Sequence, residues 1–212
     1  MGKTKKQLRE DSFVQFFHDL DERLRPHYGK ITLGLVVVAA VALVWLVLSI
    51  RSEHIEKSAL NAMATANTVE ELQNLPPSYL NTSAGPLVLL KLARALEEQE
   101  DTDNLDQLIK VYRGLLDLNP GEYFRLHAHM AMGKILIEKQ QYTEAAEEFQ
   151  AATDSSLTFR DAEAIWYKAW CYEKAGQVPE AIQAYREVRD RPEMRSRLWS
   201  EQAIFRLSQL ED

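Results

Sequence analysis

Cysteine is nearly absent from this chain: Cys171 is the only one in 212 residues, so no disulfide closes within it and no cysteine cluster can hold a metal. Glycine is also sparse, eight in all, and none are gathered into a loop that could cradle phosphates. Basic residues run short after position 50, where 18 stand against 27 acidic ones for a net charge of −9. That balance excludes nucleic acid and anionic lipid as ligands of the later part. His127 and His129 lie two apart, about 200° around a helix, and cannot chelate one ion as an i, i+4 pair could. The acidic run Glu97 to Asp103 lacks the spacing and glycine of a calcium loop. Cys171, between Trp170 and Tyr172, reads as a small packed hydrophobe. Asn81-Thr82-Ser83 is a formal glycosylation sequon, meaningful only in a eukaryotic source. No catalytic residue, metal, cofactor or small-molecule substrate is read from the sequence, and the chain is expected not to be an enzyme.

What is present is a long apolar run. From Ile31 to Ile50 there is no charge, and a helix of that length spans about 30 Å, the hydrocarbon thickness of a bilayer. Thirteen of the twenty residues are Leu, Ile or Val, which together favour insertion by about 4 to 8 kcal/mol. A cleaved signal peptide would have a shorter core and small residues after it, whereas Arg51, Glu53 and His54 follow here. A buried helix of a soluble core rarely stays apolar on every face. The run is therefore read as a retained transmembrane helix, residues 31–50, behind a cytoplasmic tail, residues 1–30. Orientation follows from the flanks: seven basic residues precede the run, and only Arg51 and Lys57 occupy the twenty positions after it. Trp45 and Tyr28 fit the interfacial aromatic belts.

Beyond residue 85 helices alternate with short breaks. Gly133, Leu136, Ala145, Phe149 and Ala152 put small residues where two helices cross and large ones in the seam; Ala169, Tyr172, Ala181, Tyr185 and Val188 repeat the set 36 residues later. An earlier copy supplies Leu92, Leu108, Tyr112 and Leu115, with Leu96 and Leu108 at positions where the others have small residues, which tells against tight crossing there. These residues resemble the tetratricopeptide repeat, a helix–turn–helix unit of about 34 residues. Gly176 suits the left-handed residue after a helix, Pro179 the first turn of the next, and Asn119-Pro120-Gly121 a turn. The segment with Met194, Leu198, Ile204, Phe205 and Leu207 on one side reads as a capping helix. The expected fold is thus all-α: one N-terminal transmembrane helix, then a tetratricopeptide-like solenoid of helical hairpins, residues 86–212, closed by a C-terminal cap. Residues 51–85 read as a helical stalk or degenerate repeat, with a capping box at Thr68 and Glu71 and one long loop at residues 76–86.

Phe13, Phe16, Phe17, Leu20 and Leu24 fall at helical spacing in the tail, an amphipathic helix for the inner membrane surface or for docking a cytoplasmic partner. In proteins of the repeat family the first helix of each pair lines a groove. Carried over position by position, the resemblance assigns that groove to His127, Met130, Lys134, Ile137, Glu163, Trp166, Trp170 and Glu173. Met and Trp there would suit extended or unfolded segments. The whole layout resembles a bacterial inner-membrane family of ancillary subunits of the Sec translocon. That likeness implies a single-pass protein with its repeats in the periplasm, a chaperone-like adaptor whose partners are SecYEG, translocating polypeptides and a membrane-anchored folding factor. The rival reading is a membrane-bound regulator whose cytoplasmic tail controls a signalling partner; an organellar import receptor with cytosolic repeats is opposed by the charge asymmetry.

The orientation is checked in spheroplasts of a strain carrying Cys171→Ala. A cysteine at Ser52 should react with a membrane-impermeant maleimide, and one at Ser12 only after the membrane is opened. The reverse pattern would overturn the assignment.

Overall fold

The computed structural model describes residues 25–99, 104–154, 157–190 and 197–211, without the side chains of Tyr28 and Ile31, and every regular element among them is helical. Nine α-helices fall within these residues: α1 Tyr28–Thr65, α2 Val69–Gln73, α3 Gly85–Glu97, α4 Leu105–Asp117, α5 Glu122–Glu138, α6 Tyr142–Thr153, α7 Asp161–Lys174, α8 Val178–Arg189 and α9 Arg197–Leu210. Phe13, Phe16, Phe17, Leu20 and Leu24 of the tail, and Met194 before the cap, lie outside the described residues. The chain divides into two compact units, Met1–His54 and Ile55–Asp212.

In the first unit the apolar run is helical throughout. Its large side chains from Leu33 to Ile50 are 48% to 69% exposed, and the candidate span has a mean hydropathy of 2.9 with none of it buried. A soluble-core helix would hide such residues, because each large aliphatic side chain left in water costs about 1.5–3 kcal/mol. The helix is compatible with a single-pass anchor, and it runs 15 residues beyond Ile50 to Thr65 without a break.

The second unit begins within α1. Ala59 is fully buried there, and Lys91 of α3 donates to the Met63 carbonyl at 2.8 Å and to Asn67 Oδ1 at 3.3 Å. The capping box forms as the sequence implies: Thr68 Oγ1 accepts from the Glu71 amide at 3.2 Å while the Glu71 carboxylate accepts from the Thr68 amide at 3.1 Å. Residues 76–86 are not the continuous loop expected. Pro76 and Pro77 start a 3-10 turn over Pro77–Asn81, and α3 already begins at Gly85, because a proline at the first turn gives up no hydrogen bond.

From α3 onward each helix packs against the next, giving three hairpins, α3/α4, α5/α6 and α7/α8, and then α9. The turns of the α5/α6 and α7/α8 hairpins share one chemistry. After α5 the Gln141 amide donates to the Leu136 carbonyl at 2.9 Å and after α7 the Gln177 amide donates to Tyr172 at 2.9 Å, the long backward bond that closes a helix with a left-handed residue between. Gly176 supplies that residue at φ +77° as expected, but the corresponding position after α5 is Gln140, held at φ 59°.

The crossing of α5 and α6 is the tightest element of the core. A Cβ on Gly133 would stand 2.7 Å from the Phe149 ring, and that ring is fully buried and stacked on Tyr167 at 5.1 Å, so it cannot move aside. The two leucines of the first hairpin, Leu96 and Leu108, are 2% and 4% exposed. One expectation for the cap is corrected. α9 buries Ala203 and Leu207 with Trp199 and Leu210 beside them, whereas Leu198, Ile204 and Phe205 are 51% to 60% exposed. The i, i+4, i+8 series from Trp199 through Ala203 to Leu207 takes the inner stripe because the small Ala203 lets α9 approach α8 closely.

The crossing yields opposed predictions. Gly133→Ala gains about 1 kcal/mol of helix propensity but overpacks a rigid site at a cost of about 1–3 kcal/mol, so urea unfolding should show net destabilisation. Gln140→Gly relieves a left-handed side chain and should stabilise by about 0.5–1 kcal/mol in the same assay.

Candidate functional site

A cleft of about 500 Å³ opens where α3, α4 and α5 meet. Its floor is apolar, formed by Leu96 of α3, Leu105 and Leu108 of α4, and Met130, Ala131 and Ile135 of α5. These residues belong to the same periodic stripes that build the core, which is why Met130 is only 1% exposed although it faces the cleft. Leu96 and Leu108 are the two residues that replace small ones in the repeat pattern, and the opening lies against both of them.

Charged groups sit at the rim in two sets. In the first, Arg160, delivered by the 3-10 turn Thr158–Arg160, grips Glu163 through Nε and one terminal nitrogen at 2.8 Å, and Lys134 reaches the same carboxylate at 3.3 Å. Burial would raise the Glu163 carboxyl, but the hydrogen bond and charge of Arg160, together with Lys134, outweigh it and hold the group below its usual range. His127, also at the rim, is pushed down by burial and by the charges of Arg160 and Lys134 against a weaker pull from Glu97, so its ring is neutral at pH 7. The second set is Glu97 and Glu138, the last residues of α3 and α5. Glu97 accepts the Tyr112 hydroxyl at 2.9 Å, and burial, then the Glu97 charge, drives the Tyr112 phenol up. His127 completes the wall, edge-on to Tyr112 at 6.1 Å.

The eight groove residues do not form one surface. His127, Met130 and Lys134 line the cleft, with Glu163 one ion pair away. Ile137 packs into the main core. Trp166 is covered by Trp199 of α9 at 5.4 Å and by Tyr185 at 6.4 Å, and its Nε1 is buried with no partner among the described residues. Trp170 lies edge-on to Tyr142 and under Lys174. Glu173 accepts the Tyr185 hydroxyl at 3.0 Å and Arg206 Nε of α9 at 3.1 Å. His129 is turned to Glu148 of α6 at 2.8 Å, away from His127. Burial lifts the fully enclosed Cys171 thiol to about 12, which leaves it unreactive. Glu97, Glu138 and Arg160, which do line the cleft, were missed in the sequence; Arg160 alone carried a signal, as the basic residue directly before the acidic first turn of a repeat helix.

The Glu163 cluster is a stability switch in acid. A carboxyl depressed from 4.5 contributes fully above that pH and loses its contribution as pH falls through the lower folded value. Glu163→Gln should therefore be less stable than the parent at pH 7, and chemical denaturation at pH 7 and pH 3 should show the gap closing in acid. A gap that widens would contradict the arrangement.

A family model described as tetratricopeptide repeat matches residues 130–194. No curated protein matches the chain. Among solved structures, a putative kinesin light chain of Podosopora anserina with nearly identical TPR-like repeats is 17% identical, covering 76% of this chain and 87% of its own, with a TM-score of 0.51. MamA from Desulfovibrio magneticus RS-1, from residue 41 to its end, is 17% identical over 76% of this chain and 93% of its own, at a TM-score of 0.43. The likeness speaks for the fold: helices α3 to α9 make a tetratricopeptide-like solenoid, and residues 130–194 match the model of that repeat.

Proposed function

We propose that this chain is a membrane-anchored, non-enzymatic scaffold that binds polypeptide segments on the periplasmic side of a bacterial inner membrane. There it serves the Sec translocon as a chaperone-like adaptor beside a membrane-anchored folding factor. The observation that carries the reading is the apolar cleft at α3, α4 and α5, built on a repeat fold whose usual work is protein binding. Its apolar floor, open at half-buried Leu105 and Ala131 over buried Met130, Leu96 and Leu108, offers area without fixed hydrogen-bond demands, which suits unfolded or extended chains of varied sequence. Helix α1 supports the anchored part of the proposal, and the basic flank before it supports the orientation. The translocon role rests on the layout of tail, span and acidic repeat domain.

A photoreactive amino acid at Ala131, in the cleft floor, should capture a secretory chain stalled in SecYEG, whereas one at exposed Gln183 of α8 should not. Equal capture from both positions, or none from either, would overturn the reading.

A further inference from the structure

We propose that the cleft prefers a polypeptide segment that presents a lysine or arginine beside a large apolar side chain; this rests on the polypeptide-binding reading of the same cleft. The argument is one of uncompensated charge. Of the rim groups, Arg160 and Lys134 are already committed to Glu163, at 2.8 and 3.3 Å. His127 brings no charge at neutral pH. Glu97 and Glu138 are different: neither makes an ion pair among the described residues, and the one hydrogen bond of Glu97 comes from the neutral Tyr112 hydroxyl at 2.9 Å. Basic side chains near them are spent elsewhere, Arg94 on Glu98 at 3.0 Å and Lys139 on Asp106.

Both carboxylates end their helices, so the negative ends of the α3 and α5 dipoles, about half a charge each, add to theirs. The bond from buried Tyr112 holds Glu97 in place before any ligand arrives, and the apolar floor beside it excludes water and lowers the local dielectric. A ligand carboxylate would meet two like charges here against the single positive charge that Glu163 leaves on Arg160 and Lys134, so the charged rim groups together carry −1. A cation attached to an apolar side chain satisfies both surfaces at once, and 500 Å³ is room for one or two large side chains. The net −9 of the chain beyond residue 50 draws such segments in at low salt.

The test uses the full chain in nanodiscs and three end-capped, dye-labelled peptides of one sequence, an apolar Leu-Phe pair flanked by Lys, by Gln or by Glu. Anisotropy should show the Lys peptide binding about five- to tenfold tighter than the Gln peptide, with the Glu peptide weakest and the Lys advantage shrinking in high salt. The Glu97→Gln, Glu138→Gln double variant, whose melting curve checks folding, should erase the Lys advantage and leave the Gln peptide within about twofold. If Lys and Gln peptides bind alike, or the Glu peptide binds best, the charge preference is overturned while the cleft remains a polypeptide site. If none of the three binds, the reading beneath it falls as well.

Discussion

A single helical hairpin in this chain cannot bury its own faces, and every other feature follows from how neighbouring hairpins resolve that. At the α5/α6 crossing Gly133 gives way to Phe149, whose ring is then fixed by Tyr167 from the next hairpin. At α7/α8 fully buried Ala169 and Tyr185 play the same parts, and Trp166 leans on Tyr185 and on Trp199 of α9. Phe149 and Trp166 thus each touch the unit that follows their own, so helix positions are set by the stack rather than by any one hairpin. A solenoid locked this way presents its unfilled places as permanent features.

The unfilled place is where the lock changes character. In the later units small residues and aromatic rings close the seam, and the neighbouring positions Trp166 and Glu173 are taken up by Trp199 and Arg206. In the first hairpin Leu96 and Leu108 stand at the small positions, and the cleft lies against them, floored by side chains that still serve the core. Departure from the repeat pattern and opening of the cleft coincide. A site made this way is rigid at its base and charged only at its edge, which favours recognition of a side-chain class over a strict sequence.

Much of the fold was legible because it is written in local chemistry. The uncharged run ending at Ile50, the Thr68–Glu71 box, the left-handed Gly176 and Pro179 in the first turn of α8 each depend on residues a few positions apart. The 36-residue echo from Gly133 to Ala169 and from Phe149 to Tyr185 named the crossing residues, all of them buried. The site was less legible because it depends on distant neighbours. Nothing beside Trp166 says that Trp199 will cover it, and nothing beside Glu173 says that Arg206 will reach it at 3.1 Å. The cap misled for a related reason: Leu198, Ile204 and Phe205 are as apolar as the residues α9 buries, and the choice of stripe was decided by small Ala203 against α8.

The central claim, that chain segments occupy the opening at the first hairpin rather than the filled end of the solenoid, is met most directly by hydrogen exchange. The full chain in nanodiscs would be followed by mass spectrometry with and without a saturating apolar-basic peptide. The account predicts slowed exchange in 92–99, 105–112 and 127–138, with 197–210 unchanged. Protection confined to 161–210, or spread evenly over the solenoid, would contradict it.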